Sequence, residues 1–252
     1  MKPLRPQRNV LRTPPPFKQD ELQRLFAAPL YAGHKSPHVL SAKGTVISKG
    51  SHWWSGLIAL YTGMRAGEIA QLQIDDFDFG ASNPVIRVRE AGEKGAVPKR
   101  LKSLAATRDV PISPVLLELG LEAFVAARSK GSGRPRVFPD LRFGRGDRRS
   151  DALTKFWSRF LHDQGLHEPG RATHVFRHTF TAALRRAAVQ EELIAGIIGH
   201  APRTQTGAYG GGFPVELMAE AIGKVDYGFD VVVLLRAQEV RNTDLEETMS
   251  AV

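Results

Sequence analysis

The sequence predicts an α+β domain that is mostly helical and carries a small antiparallel β-sheet built on a hairpin. Three observations predict it. Apolar residues recur at helical spacing along the chain, as in Leu22, Leu25 and Phe26, or Leu193, Ile194, Ile197 and Ile198. Two short stretches, PVIRVRE (84–90) and TRDVPI (107–112), are β-like and flank a long connection. Hydrophobic residues make up 42% of the 252 positions and charged residues 24%, enough apolar material to bury a sizeable core.

Residues 1–16 are basic and proline-rich, ending in Pro14-Pro15-Pro16, and are expected to form an extended linker or tail because prolines in succession cannot sustain a helix. A helix follows from Lys18, then an irregular surface excursion through Ser51, rich in Gly, Ser, Lys and His. Trp53, Trp54, Leu57, Ile58, Leu60 and Tyr61 predict a buried helix stopped by Gly63, and Ile69 with Leu72 predict a short second helix. Arg65 therefore falls at a helix start beside a tight turn. Asp75, Asp76 and Asp78 lie in a β-like DDFDF segment without a calcium-loop pattern, so a structural role is expected for them.

Ser113-Pro114 offers an N-cap and a first-turn proline for a helix running to about Arg128. After a Gly/Arg-rich loop (131–149), a helix starting near Ser150 carries Phe156, Trp157 and Phe160. Thr173 is expected to cap the next helix, and Gly199 to stop the one after it. The apolar run in KVDYGFDVVVLLR either docks on its own domain or extends to a neighbour.

Lys and Arg outnumber Asp and Glu, giving a net charge of +9 that fits a polyanionic partner. No cysteine is present, which excludes disulfides, thiol nucleophiles and cysteine zinc sites and fits a reducing cytosol. No run of about 18 apolar residues occurs, and no apolar segment follows the basic N-terminus, so no membrane association is expected.

On the helix opened by Thr173, His174, Arg177, His178, Thr181 and Arg185 share one polar stripe, while Phe176, Phe180 and Ala183 point away from it. Taken alone, this stripe reads equally well as a solvated basic face. His174 and His178 are four residues apart, but Val175 stands where a zinc-protease motif needs glutamate, so no metal site is expected. TGMRAGEIAQL (62–72) exposes Arg65 and places Glu68 one turn later. GHAPRTQTGAY (199–209) ends an apolar helix with His200 and runs to Tyr209.

In this order and spacing, TGMRAGE, HVFRH, GH and the tyrosine resemble the catalytic domain of the tyrosine recombinases, the phage integrase family, over residues 17–228. The resemblance implies a mostly helical catalytic domain with Arg65 and Arg177 as the two arginines, His174 and His200 as the histidines, and Tyr209 as the nucleophile. LKSLAATRDVPI is similar to the family's lysine hairpin and points to Lys102, with Lys94 and Lys99 standing in the same connection. Glu68 is expected to orient Arg65 or a histidine. The N-terminal DNA-clamping domain of such enzymes is missing before residue 17, so a fragment or a truncated enzyme is expected, with 229–252 a tail open to exchange between subunits.

The resemblance further implies a site-specific recombinase that cuts and rejoins double-stranded DNA through a 3′-phosphotyrosyl bond. It needs no metal, ATP or other cofactor, and no G-x-x-x-x-G-K-[ST] loop is present. A tetramer on two DNA sites is implied, with a monomer allowed off DNA, in the cytoplasm and on the nucleoid when bound. Two rival readings are a DNA-binding module of the same fold that has lost cleavage and a topoisomerase-like enzyme. The first would form no covalent adduct with DNA, and the second would relax plasmids without preference for any site.

Overall fold

The computed structural model describes residues 14–90, 99, 107–129, 136–142, 144, 150–200 and 212–250. The first helix, α1 (Gln19–Phe26), buries Leu22, Leu25 and Phe26, as its spacing predicts. A single turn, α2 (Pro29–Ala32), then leads into an antiparallel pair, β1 (His34–Ser36) and β2 (Val39–Lys43). The stretch expected to be irregular is therefore partly an ordered hairpin. Its strands are short and lack a buried alternating face, so no period-two apolar signal marks them. Their anchor is polar: His34 is fully buried, and its Nε2 accepts a hydrogen bond from the Ser48 N–H at 3.2 Å.

The helix α3 (Ser51–Thr62) runs through the middle of the molecule, with Trp53, Trp54, Leu57, Ile58, Leu60 and Tyr61 all buried. A helix apolar around its whole circumference must be enclosed by other elements. Two of these are α7 (Asp151–Asp163) and α8 (His174–Arg186). Trp157 of α7 meets Phe176 of α8 edge to face at 4.6 Å between ring centroids, and its indole N–H donates to Ser55 Oγ at 3.2 Å. At the exit of α3 comes α4 (Ala66–Ala70).

The expected sheet forms from β3 (Phe77–Asp78), β4 (Val85–Val88) and β5 (Arg108–Pro111), all antiparallel and in chain order. Val88 faces Arg108 and Ile86 faces Val110 across the β4–β5 pair. Side chains alternate along a strand, so Arg108 shares the buried face of β5 with Val110 and, just beyond the strand, Ile112. Residues 91–98 and 100–106, which include Lys94 and Lys102, lie outside the described residues.

The helix expected over 114–128 is two helices, α5 (Pro114–Glu118) and α6 (Leu121–Ser129), separated by a turn at Leu119 and Gly120. Neither expected N-cap works through its side chain. Ser113 makes no side-chain cap bond, and Thr173 takes up a helical backbone conformation instead of the extended one from which a cap reaches the first turn. Among the described residues, the remaining helices are α9 (Glu191–Ile198), α10 (Val215–Gly223) and α11 (Val231–Ser250). The last of these lies on its own domain, burying Val231, Val232 and Leu235, while Gln238 and Asn242 donate to the carbonyls of Phe26 and Ala32 at 3.1 and 2.8 Å. No described helix is long and apolar enough to cross a membrane.

Candidate active site

The chain leaves α3 through Gly63, whose φ of 65° is the left-handed conformation that ends helices, and reaches Arg65 two residues later at the N-cap of α4. Glu68, one turn into α4, reaches back to this start. Its carboxylate accepts from the Arg65 backbone N–H at 2.9 Å and from Arg65 Nη1 at 2.7 Å. α8 crosses α3 so that Arg177 Nη1 donates to the Gly63 carbonyl at 2.7 Å. The C-terminal end of α9 completes the cluster, with the Gly199 carbonyl accepting from Arg65 Nη2 at 3.2 Å. Carbonyls at a helix C-terminus carry partial negative charge and lack partners in their own helix, so guanidinium groups suit them.

A third guanidinium belongs to Arg108, for which the sequence reading assigned no role. Its Nε donates to the Ile197 carbonyl at 2.7 Å and its Nη2 to Glu68 at 3.0 Å. The signal that marks it is phase: an arginine in register with Val110 and Ile112 points inward, and a buried cation needs an anionic or carbonyl partner. Burial pushes the Glu68 carboxyl up, but the charge and hydrogen bonds of Arg108 and the bonds from Arg65 outweigh it, so its pKa lies below the usual carboxylate value. Glu68 is ionised at neutral pH.

Arg177 is the strained member. Burial first, and then the charge of Arg65, push its pKa down to about 9; Glu68 opposes the shift and Arg108 adds to it. Its Nη2 is buried and has no hydrogen-bond partner among the described residues. Among those residues, three guanidinium groups meet one carboxylate here, leaving positive charge in excess. An anion is the natural complement of that excess.

The structure thus brings Arg65, Glu68 and Arg177 together. His200 directly follows Gly199, its backbone N–H bonded to the Ala195 carbonyl at 2.9 Å and its side chain exposed. His174 opens α8 one turn before Arg177 and is also exposed. Burial holds the His178 imidazole pKa down, and His174, Arg177 and Arg185 push it the same way, so His178 is neutral at pH 7. Tyr209 and Lys102 lie outside the described residues. Lys99 is buried with its amine on Asp76, which also accepts from Arg89 Nε at 3.2 Å and from the Gln73 N–H at 2.8 Å. Asp75 and Asp78 are likewise paired, with Arg89 and Arg87, so this acidic segment ties the sheet together with ion pairs.

Gly199 makes the cluster possible twice over. Its φ of 69° suits glycine, and a methyl group there would stand 2.6 Å from Arg108 Nη1. Gly199→Ala is therefore expected to destabilise the protein by about 1–2 kcal/mol through the backbone alone. That is a fall in melting temperature of roughly 2–8 °C by scanning calorimetry. An unchanged melting temperature would contradict the geometry at this turn.

The family model described as the phage integrase family matches residues 17–211. The chain belongs to the phage integrase family. Membership places it among the integrases and recombinases, and the expected mostly helical fold with a small antiparallel sheet is borne out. This integrase-family chain is 31% identical over 157 residues to protein y4gC of Sinorhizobium fredii, named as an integrase/recombinase; the match covers 61% of this chain and 71% of that one.

Among solved structures, the family fold is shared with the integrase from mycobacterium phage Brujita at a TM-score of 0.53 and 18% identity, over 93% of this chain. XerA recombinase matches at a TM-score of 0.50 and 19% identity over 94%. The Tn1549 transposon integrase, solved in complex with circular intermediate DNA, matches at 0.51 and 18% over 86%. This integrase-family chain spans 66% of the length of each of these three structures.

Proposed function

We propose that this chain is a site-specific DNA recombinase of the integrase type, which cuts and rejoins double-stranded DNA through a 3′-phosphotyrosyl bond. The observation that carries the reading is the excess of buried positive charge around Arg65 and Arg177, with Arg177 Nη2 lacking a partner among the described residues. A phosphodiester already carries one negative charge, and attack by an oxygen nucleophile spreads more over its nonbridging oxygens. Fixed guanidinium groups in a desolvated pocket meet that charge without reorganising, which is the work metal ions do at other phosphoryl-transfer sites.

In the proposed reaction, the Tyr209 oxygen attacks phosphorus, forming the tyrosyl O–P bond as the bond to the 5′-oxygen breaks. His174 takes the phenol proton, Lys102 gives a proton to the departing 5′-oxygen, and His200 donates a hydrogen bond to a nonbridging oxygen. Glu68 fixes Arg65. Religation reverses each transfer, and the phosphotyrosyl bond keeps the energy of the broken linkage, so neither metal nor ATP enters. Lys102 is preferred to Lys99 because the Lys99 amine is already buried on Asp76. On DNA, four copies acting on two sites would exchange strands, and a monomer is allowed off DNA.

Covalent trapping tests the reading. A pool of nicked duplexes of random sequence, offered in EDTA at neutral pH, should yield a protein–DNA adduct that survives SDS and is absent with Tyr209→Phe. No adduct from the folded wild-type protein, or an equal adduct from Tyr209→Phe, would overturn it.

A further inference from the structure

We infer that Arg108 is a positioning residue, which sets Arg65 for the phosphate by holding Glu68, its own guanidinium being fixed in place by the Ile197 carbonyl. The inference rests on the proposed recombinase reading. It concerns a side chain that makes no phosphate contact itself.

Arg108 is enclosed. Its side chain is 7% exposed, one edge faces the Glu68 carboxylate, its Nε is taken by Ile197, and it passes so near Gly199 that a methyl group there would stand 2.6 Å from Nη1. A substrate phosphate has no free edge to grip there. Glu68, in contrast, is held from two sides: its Oε2 accepts from both the Arg65 N–H and Arg108 Nη2, while its Oε1 accepts from Arg65 Nη1.

Two physical consequences follow. Without Arg108, the buried Glu68 and Arg65 would form a neutral pair, and the site would lose a positive charge needed against a phosphate. With Arg108 present, the carboxylate is shared and Arg65 keeps charge for the substrate. The planar guanidinium also bonds the carboxylate and the Ile197 carbonyl at the same time, a geometry that the point charge of lysine cannot reproduce. Arg108 thereby joins β5, α4 and α9 around the Arg65–Glu68 pair.

A double-mutant cycle on cleavage of nicked DNA tests this. Arg108→Lys should fold, bind DNA with a Kd within about twofold of wild type, since it removes no phosphate contact, and cleave about 10²-fold more slowly, the penalty for a small misplacement of a reacting group. In an Arg65→Ala background the same change should cost less than about twofold more, because the residue acts through Arg65. Full additivity, or a rate loss explained by weaker DNA binding, would overturn the inference.

Should Arg108→Lys fail to fold, the cycle is run with Arg108→Gln, whose amide can still donate to Glu68 while the carboxylate stays paired with Arg65. This variant should likewise add less than about twofold in the Arg65→Ala background, and additivity would again overturn the inference. If wild-type protein forms no adduct, the recombinase reading itself falls. If it does and the cycle is additive, only the role of Arg108 falls.

Discussion

Replacing Arg177 by methionine should slow DNA cleavage by roughly 10³–10⁵-fold, by analogy with arginines that stabilise phosphoryl transfer, while leaving the melting temperature at pH 7 at or above that of wild type. The two effects go in different directions for one reason. Arg177 is buried beside Arg65, and its pKa is pushed down to about 9, well below the usual arginine value. Between those pH values the unfolded chain holds more protons than the folded one, so stability rises with pH there, and below pH 9 the full cost of the buried charge is present. Methionine removes that cost at pH 7, against the loss of one hydrogen bond to the Gly63 carbonyl.

The same logic makes bound anion a stabiliser: short duplex DNA should raise the melting temperature of wild type more than that of Arg177→Met. Single-turnover cleavage and calorimetry with and without DNA check both halves. A melting temperature well below wild type, together with normal cleavage, would show Arg177 to be a structural cation only.

Replacing Lys102 by alanine should slow cleavage by about 10²–10⁴-fold, the usual contribution of a general acid. The diagnostic is the leaving group. A substrate with sulfur in place of the bridging 5′-oxygen departs without a proton, so Lys102→Ala should cleave it at close to the wild-type rate. Arg65→Ala should show no such rescue, because charge still develops on the nonbridging oxygens. Failure of rescue for Lys102→Ala would turn the search to Lys94, since Lys99 is occupied by Asp76.

How much of this could be read in the residues differs from element to element. The helices around Trp53–Tyr61, Phe176–Leu184 and Leu193–Ile198 follow from apolar spacing, and the left-handed stops at Gly63 and Gly199 from composition. The β1–β2 hairpin was not legible, because its anchor is the buried polar His34 and not an apolar face. The break at Leu119 and Gly120 was missed because both halves carry helical spacing; the signal for it is Gly120, whose φ of 91° is open to glycine and ends the first half. Thr173 has the composition of a cap and the backbone of a helix.

By itself the sequence determined the family, because TGMRAGE, HVFRH, GH and a tyrosine stand in a set order. It also determined the local structure wherever one apolar period dominates. What only the tertiary structure decided is which charges meet. Arg108, the Arg65–Glu68 pair at the start of α4 and the carbonyls of Ile197 and Gly199 at the end of α9 come from three separate elements, and their meeting depends on the inward phase of β5 and the place where α9 stops. Electrostatic coupling falls off with distance through space and not along the chain, so no spacing of residues in sequence could reveal it.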